Sequence, residues 1–319
     1  MIYDCGLRIK PQSFLATENT EDTEKMVKSK KKKENFVSLC LGGKSSGFSL
    51  VEIMVVVSTV SVVMAVTMPA MNTARSRARA IVCRSNLRQL VLANIGYSND
   101  HDGYYVSAAG DMYFGGKNLR RWHGVRENIN ASFDAKKGPL AGYLADGKVK
   151  KCPEKTEFTQ NTVGAINFER GCGGYGYNMQ YLGSRLWQNG ISTMSAWIKA
   201  YSTTVNAMEV KRTAETLMFA DTAFYKNYQG AWYLIEYSFA ESPYYVVEGE
   251  PDIGGGALGY PSPSIHFRHY GSANVGWVDG HVEAKPMAKP VLRDNYTAEM
   301  AKMNIGWFEP VDNTLFDLQ

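Results

Sequence analysis

One acidic residue, Glu52, stands near the start of an almost uninterrupted apolar run that extends to Met68. A charged side chain in the apolar core of a bilayer costs on the order of 2.5 to 3.5 kcal/mol on insertion scales, so a carboxylate placed there needs a neutralising partner. The amine of a neighbouring chain would serve. Late in the chain, His266, His269, Asp279 and His281 are ligand types that zinc accepts, while carboxylates with backbone carbonyls suit calcium. Hydrogen bonding around a turn is the other chemistry open to these four residues. Asp100-His101-Asp102-Gly103 is too short a fragment to count as a calcium loop. The chain has no GxSxG, P-loop or HExxH pattern, and the late His and Asp residues have no nucleophile within their own motif, which argues against an enzyme.

Positioning these groups falls to two kinds of element. From Ala70 to about Tyr97, the residues Ile81, Leu87, Leu90, Val91 and Ile95 recur at helical spacing. The pattern predicts one long helix running from the apolar segment into a soluble region. Pro69 removes one backbone hydrogen bond and should bend or locally open that helix. Beyond it, Ser98 to Gln319 is large enough for a compact domain of about 200 residues. Its short apolar runs, rich in Gly, Tyr and Asn, read mostly as strand and loop. Strands are expected at Thr216–Asp221 and Ala231–Glu236, and short helices at Leu140–Leu144 and Met194–Ala200. Ala273–Val278 and His281–Glu283 flank Asp279-Gly280, a hairpin signal in which both turn positions would take positive φ. His269 then precedes the first strand, within reach of the turn or of a carboxylate such as Asp221. The expected fold class is α+β, a long N-terminal helix packed on a C-terminal antiparallel sheet domain.

Gly47-Phe48-Ser49-Leu50-Val51-Glu52, directly ahead of the apolar run, resembles the type IV pilin and type II secretion pseudopilin family. The resemblance implies cleavage after Gly47 by a prepilin peptidase, N-methylation of Phe48, and an assembly role for Glu52, whose carboxylate would meet the N-terminal amine of an adjacent subunit. It divides the chain into a cytoplasmic leader, 1–47, a transmembrane and assembly helix, 48–97, and a periplasmic domain, 98–319. The leader is polar and rich in lysine (Lys28, Lys30, Lys31, Lys32, Lys33, Lys44), with a nucleic-acid-binding tail as the alternative reading. It is long for the family, so Met26 competes with Met1 as the start. A Sec signal cut between Ala65 and Ala70 fits poorly, because Glu52 would interrupt its apolar core and Pro69 would adjoin the cut. An ordinary signal anchor with an incidental Glu is the plainer alternative. Arg75, Arg77, Arg79, Arg84 and Arg88 crowd the far flank, so charge does not orient the segment and the cleavage motif must. Those arginines could solvate a helix face or contact headgroups, neighbouring subunits or DNA. Pro69 matches the position of the family's kink proline.

A second resemblance lies in His266-Phe-Arg-His269-Tyr-Gly-Ser-Ala-Asn-Val-Gly-Trp-Val-Asp279-Gly280-His281, where nine residues separate His269 from Asp279-Gly280. It is similar to the H-X9-DG domain found behind prepilin leaders. Cys83 before Ser85-Asn86-Leu87, Tyr97 to Tyr105 around Asp102-Gly103, Cys152-Pro153, Tyr175-Gly-Tyr-Asn178 and Phe219-Ala-Asp221 agree with it. The resemblance brings no biochemical activity with it. In the compartment it implies, a disulfide is allowed. Cys5 and Cys40 leave with the leader; Cys152 and Cys172 could close a loop of about 20 residues, worth on the order of 3 kcal/mol. Cys83 reads as a buried or lone thiol, and three reduced cysteines are the alternative. Without a CxxC pair, a zinc ribbon is not expected.

Together the resemblances imply a pseudopilin-like structural subunit of a type II secretion or type IV pilus-like filament, not an enzyme. It would sit as a single-pass inner-membrane protein with its C-terminal domain in the periplasm or on the cell surface. Its partners would be prepilin peptidase, other pilin or pseudopilin subunits and the inner membrane. No cofactor is expected, calcium being the one ion considered. Nucleic acid is not an expected partner, because the basic residues lie mainly on the helix with no basic and aromatic face for single strands. A membrane-tethered periplasmic hydrolase or binding domain and a DNA-uptake pilin are the alternatives.

Overall fold

The computed structural model describes residues 47–112, 117–154, 156, 158, 169–186, 194–247, 249–254 and 260–319. The leader up to residue 46, with Cys5, Cys40 and the lysine run, lies outside the described residues. The chain divides into two units, with the boundary between Thr59 and Val60.

Helix α1 spans Leu50–Asp100 without interruption and continues through Pro69. Ser49 and Glu52 begin it with a reciprocal cap: the Val51 N–H donates to Ser49 Oγ at 3.4 Å, and the Ser49 N–H donates to Glu52 Oε2 at 3.0 Å. At its other end Asp102 adopts a left-handed φ of 52°, and the Gly103 N–H returns to the Ser98 carbonyl at 2.8 Å. Asp102-Gly103 is therefore a helix terminator. Among the described residues α1 is the one helix long and apolar enough to cross a membrane, and the side chains from Leu50 to Met71 are all exposed. Those 22 residues span about 33 Å, enough for a bilayer core. This fits a single-pass anchor.

Burial begins further along. Cys83, Asn86, Leu87, Leu90, Val91, Ala93, Asn94 and Ser98 are the buried residues of α1, the stripe that three- and four-residue spacing puts on one helix face. The stripe packs on a five-stranded sheet. Its strands are β1 (Tyr175–Asn178), β2 (Leu217–Asp221), β3 (Phe239–Ala240), β4 (Ser272–Trp277) and β5 (Val282–Pro286), in the order β5-β4-β2-β1-β3. All neighbours are antiparallel except the β1–β3 pair. Every residue of β1 and β2 is buried, as befits strands covered on both faces. The fold is thus α+β, with an antiparallel-rich sheet domain after the long helix. The expected strand at Ala231 forms as Ala231–Ile235, paired with Phe224–Tyr228, and the expected helix at Met194 forms as α2 (Met194–Ser202). Leu140–Leu144 holds only a 3-10 turn at Ala141–Tyr143.

The β4–β5 hairpin forms, but its turn differs from expectation. Of Asp279 and Gly280 only Gly280 has positive φ, 97°, and the Gly280 N–H donates to the Trp277 carbonyl at 3.0 Å. This is the three-residue loop with a left-handed last position, not the two-residue turn. The two-residue form occurs instead at Tyr270-Gly271, with φ of 53° and 73°, closed by reciprocal backbone bonds between His269 and Ser272 at 3.0 and 3.1 Å. That turn sets His269 at the head of β4.

Helix and sheet approach closely at Gly276, where an added Cβ would stand 2.6 Å from Val91 Cγ2 and 3.4 Å from Leu87 Cγ. Gly276→Val should therefore push α1 off β4 and lower stability by about 1–3 kcal/mol, read as a fall in the urea midpoint with unchanged slope.

Candidate functional sites

The buried stripe of α1 and the half-buried turns just before it also carry a set of polar grips. Ser76 Oγ and the Arg79 guanidinium donate to Glu154 at 2.9 and 3.0 Å, and Asn86 Nδ2 donates to the Lys151 carbonyl at 3.2 Å. These contacts clamp the segment 151–154 along the helix, and the Cys152 N–H is held by the Gly173 carbonyl at 3.0 Å. Arg79, one of the arginines open to outside partners on sequence grounds, thus has an intramolecular one.

Between these grips Cys83 faces the end of β2. Its thiol donates to Asp221 Oδ1 at 3.2 Å and accepts from the Tyr175 hydroxyl at 3.4 Å. Asp221 Oδ2 accepts from the Asn274 N–H at 2.8 Å and lies 3.2 Å from His269 Nε2. The same nitrogen is 3.5 Å from Cys152 Sγ. His269 Nδ1 faces Glu154 Oε2 at 3.9 Å. Ligand atoms of Cys83, Cys152, Asp221 and His269 all fall within 4.8 Å of one another. Beside them Arg268 Nη2 donates to the Gly174 and Thr222 carbonyls at 3.0 and 2.5 Å, while Nε and Nη1 are buried with no hydrogen-bond partner among the described residues. Gly174, with φ of 82°, leaves the space that the guanidinium occupies.

Electrostatics follow from this geometry. Cys83 foremost, and then His269, draw the neighbouring Cys152 thiol down to about 6 against the effect of burial. Burial works against a charged His269, but Asp221 and Cys152 raise it to about 9. Asp221 is held below the usual carboxylate range despite burial, through His269 and Arg268, and burial pushes the Cys83 thiol up. The arrangement sets the Asp221 carboxylate and the Cys152 thiol against the His269 imidazole and the Arg268 guanidinium.

The sequence motifs are distributed unequally. His269 meets Asp221, one of the two partners expected of it. His266 is turned away, with Nε2 3.1 Å from the Met303 carbonyl and burial lowering it to about 3. Asp279 and Gly280 sit at the far end of β4 from His269, where the Asp279 carboxylate accepts from the His281 N–H at 3.0 Å and approaches His281 Nδ1 at 2.6 Å. The four-residue set His266, His269, Asp279 and His281 is therefore not a joint ligand set, because β4 separates its ends. Cys152 and Cys172 are free thiols rather than a disulfide: Cys152 turns to Cys83 and His269, and Cys172 lies 4.0 Å from Glu236 Oε2. Cys83 is buried as expected but is not alone.

Sequence reading missed two features. Ser49 and Glu52 carry the S-x-x-E cap signature ahead of an apolar run, visible but not read as such. A buried pair, Arg121 and Glu169 at 2.7 Å, receives Ser238 Oγ at 2.6 Å with His123 Nε2 at 3.9 Å, and nothing local in the sequence marked it. Comparison with protein-family models, with curated proteins and with solved structures finds no match to this chain.

Asp221→Asn would remove the carboxylate that holds Cys83, Asn274 and His269 while leaving Arg268 buried. A loss of about 3–5 kcal/mol is expected, measured by urea unfolding against wild type.

Proposed function

We propose that this chain is a pseudopilin-like structural subunit, cut after Gly47, N-methylated at Phe48, and assembled through α1 into a type II secretion or type IV pilus-like filament. The observation that carries the reading is α1 itself. One unbroken helix, exposed and apolar over its first turns, places Glu52 in its opening turn right behind Gly47-Phe48, and buries a single stripe only from Cys83 onward. A helix of this kind can exchange lipid for neighbouring helices without disturbing the core of the domain behind it.

Glu52 closes a cap within its own chain through Oε2. A carboxylate has acceptor capacity for a further donor, so the cap and the contact with a neighbour's amine are compatible. Prepilin peptidase, other subunits and the inner membrane are the partners of this reading, with the C-terminal domain in the periplasm or at the surface. The chemistry is that of a processing substrate rather than a catalyst.

A tethered hydrolase has one observation in its favour, the Cys152–His269 pair. Glu154 lies at the opposite edge of the ring, at 3.9 Å, but the nitrogen that would serve Cys152 is nearer to Asp221, 3.2 against 3.5 Å, so the imidazole is shared with a carboxylate and not reserved for the thiol. Cavities of about 610 and 710 Å³ lie elsewhere, the first lined by Tyr97, Asp111 and Arg121, the second along α1 from Pro69 to Ile81.

The N-terminal peptide and intact mass of the protein recovered from its native membranes should give a chain beginning at N-methyl-Phe48; a retained leader, or a cut near Ala70, would sink the reading. Glu52→Ala should leave the thermal unfolding of the domain within about 1 kcal/mol of wild type, since only a cap is lost. Its incorporation into filaments, scored by shear fractionation, should fall severely, and normal incorporation would remove Glu52 from the assembly mechanism.

A further inference from the structure

Cys83, Cys152, Asp221 and His269 come from four separate segments: the buried stripe of α1, the clamped 151–154 segment, the end of β2, and the turn ahead of β4. Nothing in chain connectivity requires four strong metal-ligand types to converge. Their spacing is informative. With zinc bonds of about 2.0–2.3 Å, a tetrahedron has edges of about 3.4 Å between nitrogen or oxygen donors and about 3.8 Å between two sulfurs. The protein has 3.2 Å from Cys83 Sγ to Asp221 Oδ1, 3.2 Å from Asp221 Oδ2 to His269 Nε2, and 3.5 Å from His269 Nε2 to Cys152 Sγ. Those contacts use both Asp221 oxygens; with one atom from each residue the four lie within 4.8 Å of one another, so shifts of up to about 1 Å would close them around an ion.

We propose that Cys83, Cys152, Asp221 and His269 bind one zinc ion that fastens α1 to the sheet domain.

Two thiolates, an imidazole and a carboxylate in a tetrahedral arrangement select zinc over calcium or magnesium, which favour all-oxygen shells. On binding, both thiols take the thiolate form and His269 the neutral imidazole form, and the protons given up pass to solvent. The three anionic ligands are then balanced by the ion and by the Arg268 guanidinium, whose buried nitrogens lie beside them. His269 would bind through Nε2 and turn Nδ1 to Glu154, which Ser76 and Arg79 hold in place. This is the carboxylate behind a ligating histidine that orients the ring in zinc sites. Four protein ligands make a closed site, whose role is structural. The inference rests on this geometry and is independent of the filament reading.

The test uses the full-length chain extracted in detergent and purified without chelator. Elemental analysis should find about one zinc per chain, and Cys83 and Cys152 should resist alkylation until a chelator is added. Cys172→Ser should keep the ion. Cys152→Ser and His269→Gln should lose it, and Glu154→Gln should weaken zinc binding roughly 10- to 100-fold. Should the ligand variants fail to fold, cobalt added to chelator-stripped wild type should produce thiolate-to-cobalt absorption in the near ultraviolet and the intense visible bands of a tetrahedral centre. Absence of both zinc and these bands would overturn the proposal. So would a Cys83–Cys152 disulfide in the peptide map of the purified chain, or full zinc content in both Cys152→Ser and His269→Gln.

Discussion

Asp221 closes β2 with a buried carboxylate, and the domain is arranged around keeping that charge satisfied. An unpartnered carboxylate removed from water costs several kcal/mol, so each of its contacts constrains the element that makes it. Cys83 fixes the rotation of α1, Asn274 fixes the start of β4, and His269 fixes the turn before it. Arg268 supplies the compensating charge from the same turn. Removing any one partner would leave the others facing an incompletely paired anion.

The contacts also explain why α1 docks in one register. Ser76, Arg79, Cys83 and Asn86 recur at spacings of three and four, so they form one ridge, and each has a polar partner in the sheet domain. Apolar packing at Leu87 and Val91 over Gly276 would tolerate sliding more readily, since hydrophobic burial is non-directional. Directional bonds between fixed atoms do not. The hydrophobic stripe therefore supplies adhesion, and the polar ridge beside it supplies position.

How much of this was legible depended on the range of the signal. The helix, its apolar face and strands such as Leu217–Asp221 follow from local periodicity, and local periodicity found them. The turn geometry was misassigned because Asp-Gly favours two kinds of hairpin loop, while Tyr270 in a left-handed conformation is an unusual choice that tertiary contacts must hold. Cys172 was one possible partner for Cys152 because both lie in the loop-rich domain, with three reduced cysteines as the alternative, whereas its neighbour in space, Cys83, lies on the helix 69 positions earlier. Cys83, Cys152, Tyr175, Asp221 and His269 were each visible within separate short signatures. Their convergence was not, because it depends on how α1 crosses the sheet, and no spacing rule encodes that.

The distribution of burial along α1 gives the helix two kinds of work on one continuous backbone. Up to Met71 its side chains are exposed and apolar, and from Cys83 a stripe of them enters the core. Apolar contacts alone would resist axial sliding weakly, whereas ligands and ion pairs resist it through distances that cannot lengthen without loss. The polar ridge begins at Ser76 and Arg79, ahead of the buried stripe, and continues through Cys83 and Asn86. A metal at that point would add a strong cross-link between helix and sheet where the domain core begins.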